Sequence, residues 1–112
     1  MIINFDKIEE TPIEGFKGGK GLLLAHNYFD DDCKIMRHVL TPGASTGLHV
    51  HEQNCEIIFV LKGHPTFHYD DKVETAVPGE VHYCPRGHSH YMENLTDEPV
   101  EYFAVVPELR RK

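Results

Sequence analysis

The residues best suited to chemistry are His49 and His51, one residue apart, with Glu56 close behind and His90 much further along. In a strand, residues two apart share a face, which sets the two imidazoles side by side, about 6–7 Å apart at the backbone. The run 52–55 is short enough for Glu56 to open a neighbouring strand and offer an oxygen beside them. His90 follows a turn at 85–87 and can supply a fourth ligand. Three neutral imidazoles and a carboxylate suit a divalent first-row metal with open positions. A His-X-His pair alone is common on surface strands, so the case rests on the whole set.

The elements that must position these residues are short. Nine Gly and seven Pro punctuate the chain. Between them lie runs suited to strands at 21–26, 34–40, 47–51, 56–61, 65–69, 73–76, 81–84, 90–94 and 100–106. Turn sequences such as Thr41-Pro42-Gly43, Lys62-Gly63 and Asp97-Glu98-Pro99 separate them. Many short strands at this spacing predict an all-β sandwich or barrel. Residues 11–20, with three Gly and one Pro, read as an irregular arm. The expected organisation is one domain: an N-terminal arm and first strand over 1–30, then a barrel over 31–112.

Composition bounds the function. The 112 residues make one domain, with Lys and Arg numbering 11 against 18 Asp and Glu. A net charge of −7 argues against nucleic acid, which requires a basic stripe. No apolar run approaches the roughly 18 residues of a membrane span. Cys33, Cys55 and Cys84 are odd in number and lack a CxxC spacing, so they read as small hydrophobes in a reducing compartment. No signal peptide is visible, and a cytoplasmic location is expected. Nine His exceed the two or three that average usage would give in a chain this long, roughly.

The spacing around the histidines resembles that of the cupin superfamily. Gly43, five residues, His49, one, His51, four, Glu56, six, Gly63 is similar to the first cupin motif. Gly79, five residues, Pro85, one, Gly87, two, His90, three, Asn94 is similar to the second. Treating each of the ten positions as about a 5% event, chance agreement is on the order of 10⁻¹³ per placement. The resemblance implies a single-domain jelly-roll β-barrel with a metal in its mouth. By position, it implies His49, His51, Glu56 and His90 as ligands of one divalent transition metal per chain: Mn, Fe, Ni or Zn. Asn94 reads as a hydrogen-bonder at a strand end rather than a ligand.

Strand parity extends the site. With Glu56 inward, Ile58, Val60 and Lys62 follow it, while Ile57, Phe59 and Leu61 face out and call for a cover, such as a second subunit in a homodimer. Met92 shares the face of His90, Tyr102 faces in from the last strand, and Met36 and His38 face in from 34–40. Phe67 and Tyr69 are expected to complete the wall. Glu56 and His38 are the candidate proton-transfer groups. The faces of His82 and Cys84 are undetermined, and His26, His64, His68 and His88 carry no role. Arg37 and Arg86 read as surface or structural residues, with carboxylate binding as the alternative. The expected activity is a metal-dependent reaction on a small molecule, of dioxygenase, isomerase or lyase type. The alternative is a metal-dependent module that binds or senses a small ligand.

Overall fold

The computed structural model describes residues 1–109, so the last three residues of the expected barrel, 110–112, lie outside the described residues. Ten strands follow one another: β1 (Thr11–Glu14), β2 (Leu22–Phe29), β3 (Cys33–Leu40), β4 (His49–Val50), β5 (Glu56–Lys62), β6 (Thr66–Tyr69), β7 (Lys72–Thr75), β8 (Val81–Cys84), β9 (Ser89–Glu93) and β10 (Val100–Pro107). All pairings are antiparallel, in a six-stranded sheet of order β1-β2-β3-β10-β5-β8 and a four-stranded sheet of order β4-β9-β6-β7. The two sheets form a jelly-roll barrel, the expected all-β fold in one domain. Among the described residues no helix is long and apolar enough to cross a membrane.

The core follows the period of two. In β10, Val100, Tyr102, Ala104 and Val106 are buried, and Glu101, Phe103 and Val105 between them are half-buried. Met36, His38 and Leu40 are buried in β3, and Ile58 and Val60 in β5. Phe67, Met92 and Leu23 close the interior. Each large apolar side chain so enclosed contributes about 1.5–3 kcal/mol. Asn94 is fully buried, with its amide donating to the carbonyls of Leu40 (2.9 Å) and Glu98 (2.7 Å) and its oxygen accepting from Thr96. It joins a strand end to the following turn, as expected.

Two expectations need correction. The arm is not irregular throughout: β1 pairs in register with β2, with Thr11 opposite Ala25. Pro12 is tolerated there because β1 is the sheet edge, where a missing N–H interrupts no ladder. Lys62 does not face inward but is exposed. Tyr102 pairs with Val60 and Glu101 with Lys62, so Leu61 is skipped and the parity breaks at a bulge. This spares the fold a buried ammonium. On the outer face, Phe59, Leu61, Val81 and Tyr83 are exposed.

Candidate metal centre

Both sheets contribute to the cluster. β4 pairs with β9 so that His49 lies directly opposite His90. His51, just past β4, prolongs that pairing: its N–H donates to the His88 carbonyl (3.1 Å) and its carbonyl accepts from Gly87 (2.6 Å). The positive φ of Gly87 (89°) permits this tight turn. Glu56 opens β5 on the other sheet, opposite Cys84.

The four side chains converge. His90 Nε2 lies 3.0 Å from both His49 Nε2 and His51 Nε2, and 2.9 Å from Glu56 Oε1. Glu56 Oε1 lies 3.1 Å from His51 Nε2 and 3.5 Å from His49 Nε2. One ligand atom from each residue falls within 4.8 Å of all the others. Atoms bound about 2.1 Å from a common ion, on adjacent positions, lie roughly 3 Å from one another, which matches these separations.

The outer nitrogens decide the tautomers. His49 Nδ1 donates to the Gly47 carbonyl (2.8 Å), and His51 Nδ1 to Asn54 Oδ1 (2.6 Å). His90 Nδ1 meets His82 Nε2 at 3.0 Å. With each Nδ1 committed outward, the Nε2 lone pairs point at one another and at the carboxylate. Such a donor set is favourable only around a cation or shared protons, so these residues fit a divalent metal. Burial is the largest single effect on Glu56 and raises its pKa, but where shared protons stand in for a cation the hydrogen bonds from His49, His51 and His90 together outweigh it and hold the carboxyl well below the usual range. His90 is lowered chiefly by burial, against the raising effect of Glu56. Both shifts favour the ligand forms, a neutral imidazole and a carboxylate.

The group opens into a cavity of about 580 Å³. The family model described as a cupin domain matches residues 36–106. The chain belongs to the cupin family. The oxalate-binding protein of Thermotoga maritima is 32% identical to this cupin over 112 residues, covering 95% of this chain and 93% of the relative. The oxalate decarboxylase OxdC of Bacillus subtilis is 30% identical over 112 residues, covering 88% of this chain. The match spans only 27% of that larger protein. Among solved structures, a predicted oxalate decarboxylase from Thermotoga maritima superposes with a TM-score of 0.91 at 30% identity, covering 97% of this chain and all of the other. A sugar phosphate isomerase from Silicibacter pomeroyi has the same fold, with a TM-score of 0.79 at 21% identity, covering 96% of this chain and 76% of its own.

Met36, His38, Met92 and Tyr102 line the cavity of this cupin, with Ile58 and Val106. Phe67 and Tyr69 were expected there and do not line it. The Phe67 ring is buried against His82, stacked at 4.0 Å, and His82 in turn stacks on His90 at 5.2 Å. His82 thus fills the space through which Phe67 would reach the cavity. Tyr69 lies edge-on to His82, and its hydroxyl bonds His88 Nδ1 (3.3 Å), which Asp70 also engages (2.6 Å).

His82 is the residue that sequence reasoning missed. Its pKa falls to about 4, chiefly through burial and then through His90, so it stays neutral and accepts from His90. The available hint was its place on β8, two residues before buried Cys84. His38 is also buried; its Nε2 donates to Asn27 Oδ1 (2.9 Å) and its Nδ1 accepts from the Tyr102 hydroxyl (3.1 Å). Burial, with a smaller effect of Glu56, raises the Tyr102 phenol well above its ordinary value and keeps it a donor. Arg37 pairs with Asp6 (2.8 Å), and neither Arg37 nor Arg86 lines the cavity. His26 donates to the Ile8 carbonyl (2.7 Å), and His68 pairs with Glu93 (2.6 Å). The three cysteines are free. Burial foremost pushes the Cys84 thiol up to about 12, which suits an inert packing residue.

Proposed function

We propose that this cupin holds one divalent transition metal on His49, His51, Glu56 and His90, and binds a small dicarboxylate such as oxalate on that metal. The observation that carries the reading is the convergence of three Nε2 atoms and one carboxylate oxygen on the wall of a cavity. A bound metal supplies Lewis-acid attraction for a chelating anion. With Glu56 ionised, the metal site carries one net positive charge, which suits an anion over a neutral ligand. The apolar walls of Met36, Ile58, Met92 and Val106 exclude water around it. The oxalate named in two relatives supports the choice of ligand.

Binding is preferred to turnover because of His38. Both of its ring nitrogens are committed, to Asn27 and Tyr102, which leaves no lone pair for a substrate proton. Burial lowers its pKa to about 4, making it a weak base.

The test is elemental analysis of untagged protein after incubation with Mn²⁺, followed by calorimetric titration with oxalate. The expected result is one metal per chain and oxalate binding that a chelator abolishes. His51→Ala and His90→Ala should lose the metal while keeping a β-rich circular dichroism spectrum. Full occupancy in both variants, or oxalate binding indifferent to the chelator, would overturn the reading. Release of formate or CO₂ from oxalate would replace the binding role with an enzymatic one.

A further inference from the structure

The segment between β1 and β2 reads Gly15-Phe16-Lys17-Gly18-Gly19-Lys20-Gly21. It is a closed strap. Gly15 N–H donates to the Gly21 carbonyl (3.0 Å), and the Phe16 carbonyl accepts from Gly19 (3.0 Å) and from Gly47 (2.9 Å). The contact with the stretch leading into β4 has no room for side chains. A Cβ on Gly47 would fall 1.6 Å from the Lys17 carbonyl oxygen, and one on Gly19 would fall 2.1 Å from that of Ser45. The strap is thereby fixed against the segment that carries His49.

Within the strap, Gly15, Gly18 and Gly21 have positive φ, as glycine allows. Lys17 also has positive φ (54°, with ψ 31°), a left-handed conformation that a side chain disfavours. It is the one strap position at positive φ without a glycine, and the residue lines the cavity. Strained residues of this kind persist where the surroundings enforce them, and they concentrate at functional sites. The Lys17 ammonium sits 5.7 Å from the Phe16 ring centroid, and the Phe16 ring packs edge-on to His38 at 5.7 Å. Lys17 is exposed, yet partial desolvation of its ammonium lowers its pKa, against the attraction of Glu56, and Lys34 lowers it further. Lys34 lines the cavity as well. Among the described residues neither lysine forms an ion pair, in a chain of net charge −7.

We propose that Lys17 is the residue that selects anionic ligands, its ammonium receiving the oxygens of a dicarboxylate that face away from the metal. The inference rests on the function proposed above and adds a specific group to it. A dicarboxylate that chelates through one oxygen of each carboxylate leaves two oxygens free. An ammonium offers three donors and no acceptor, so it favours those oxygens over the amide groups of a neutral analogue.

The test uses the Mn²⁺-loaded full chain and calorimetry with oxalate and with oxamide, its neutral diamide analogue. Loss of a charge-assisted hydrogen bond corresponds to about 10- to 100-fold in affinity. Lys17→Met is expected to weaken oxalate by that factor, leaving oxamide and metal occupancy unchanged. Lys17→Arg should stay near wild type. Lys17→Gly, which suits the left-handed backbone, should melt no lower than wild type yet bind oxalate as weakly as Lys17→Met, an outcome that a purely structural role does not produce. Unchanged oxalate affinity in Lys17→Met, or equal weakening of oxalate and oxamide, would overturn the role of Lys17 and leave the metal-bound dicarboxylate standing. Failure of metal-loaded wild type to bind oxalate would overturn both.

Discussion

Replacing His82 by Phe should weaken metal binding without destroying the barrel. His82 is buried in a stack between Phe67 and His90, with ring centroids at 4.0 Å and 5.2 Å. Phe preserves the ring and most of the volume, so the packing survives. What disappears is the acceptor 3.0 Å from His90 Nδ1. The His90 N–H then lies buried without a partner, which costs about 1–3 kcal/mol. His90 is 2% exposed, so water cannot readily take over, and the upper half of that range applies. The metal feels the change through the ring. Without an acceptor at Nδ1, the proton is no longer held there, the Nε2 lone pair is no longer guaranteed, and the ligand loses basicity. Loss of such an outer partner typically costs about 10–100-fold in metal affinity, or roughly 1.4–2.7 kcal/mol.

The assay is competition for Zn²⁺ or Mn²⁺ against a fluorescent chelator, with circular dichroism and thermal melting run alongside. His82→Gln is the control, because its side-chain oxygen can accept from His90 and should recover part of the loss. A His82→Phe variant that folds and binds metal as tightly as wild type would refute the reasoning. So would a Gln variant no better than Phe, since that would assign the loss to packing.

Acid should destabilise the protein through His38. Burial, the main cause, and His26 outweigh the attraction of Glu56 and lower its pKa to about 4. The unfolded chain takes up a proton near pH 6.5 that the folded chain refuses, so stability present above pH 6.5 is lost as pH falls to 4, on the order of 3 kcal/mol. Urea denaturation with chelator present throughout should show wild type losing about that much more than His38→Gln over this range; parallel losses would contradict it. Gly47→Ala should lower stability by at least about 1–3 kcal/mol, because the added Cβ meets the Lys17 carbonyl oxygen at 1.6 Å and backbone must move. A loss under about 0.5 kcal/mol by urea denaturation would show that the strap yields easily.

Legibility in the sequence followed the range of the physics involved. His49, His51, Glu56 and His90 sit at fixed spacings around turns, so a linear pattern reported their convergence. The two-residue period reported Met36, His38, Met92 and Tyr102, because each strand alternates without interruption up to its site residue. The same period failed at Lys62, where the skipped Leu61 reverses the parity. It also failed in practice at Phe67 and Tyr69. They share faces with Met92 and His90 in the β6–β9 register, but His82 from the other sheet occupies the space in front of them. Which side chain fills a shared volume depends on contacts between sheets, and no local pattern carries that. The arm was misread because Gly and Pro at 11–20 are counted against strand, whereas an edge strand accepts Pro12 and the strap needs its glycines.

These failures divide the chemistry in two. Metal ligands require fixed separations near 3 Å, so they sit on or beside paired strands, where His49 faces His90 and Glu56 faces Cys84. Their outer nitrogens are anchored separately, by a backbone carbonyl, an asparagine and a histidine. A strand can send a side chain only into the barrel or away from it. β3 brings Lys34 to the cavity, and the other lysine there, Lys17, comes from the chain between β1 and β2. The glycine-rich strap packs against the stretch leading into β4, and its contact with Gly47 ties Lys17 to the strand that bears His49. On the proposed function, the metal ligands and the anion-selecting lysine belong to different segments, joined at a backbone contact too close for any side chain. The motif spacing covers the first segment and is silent on the second.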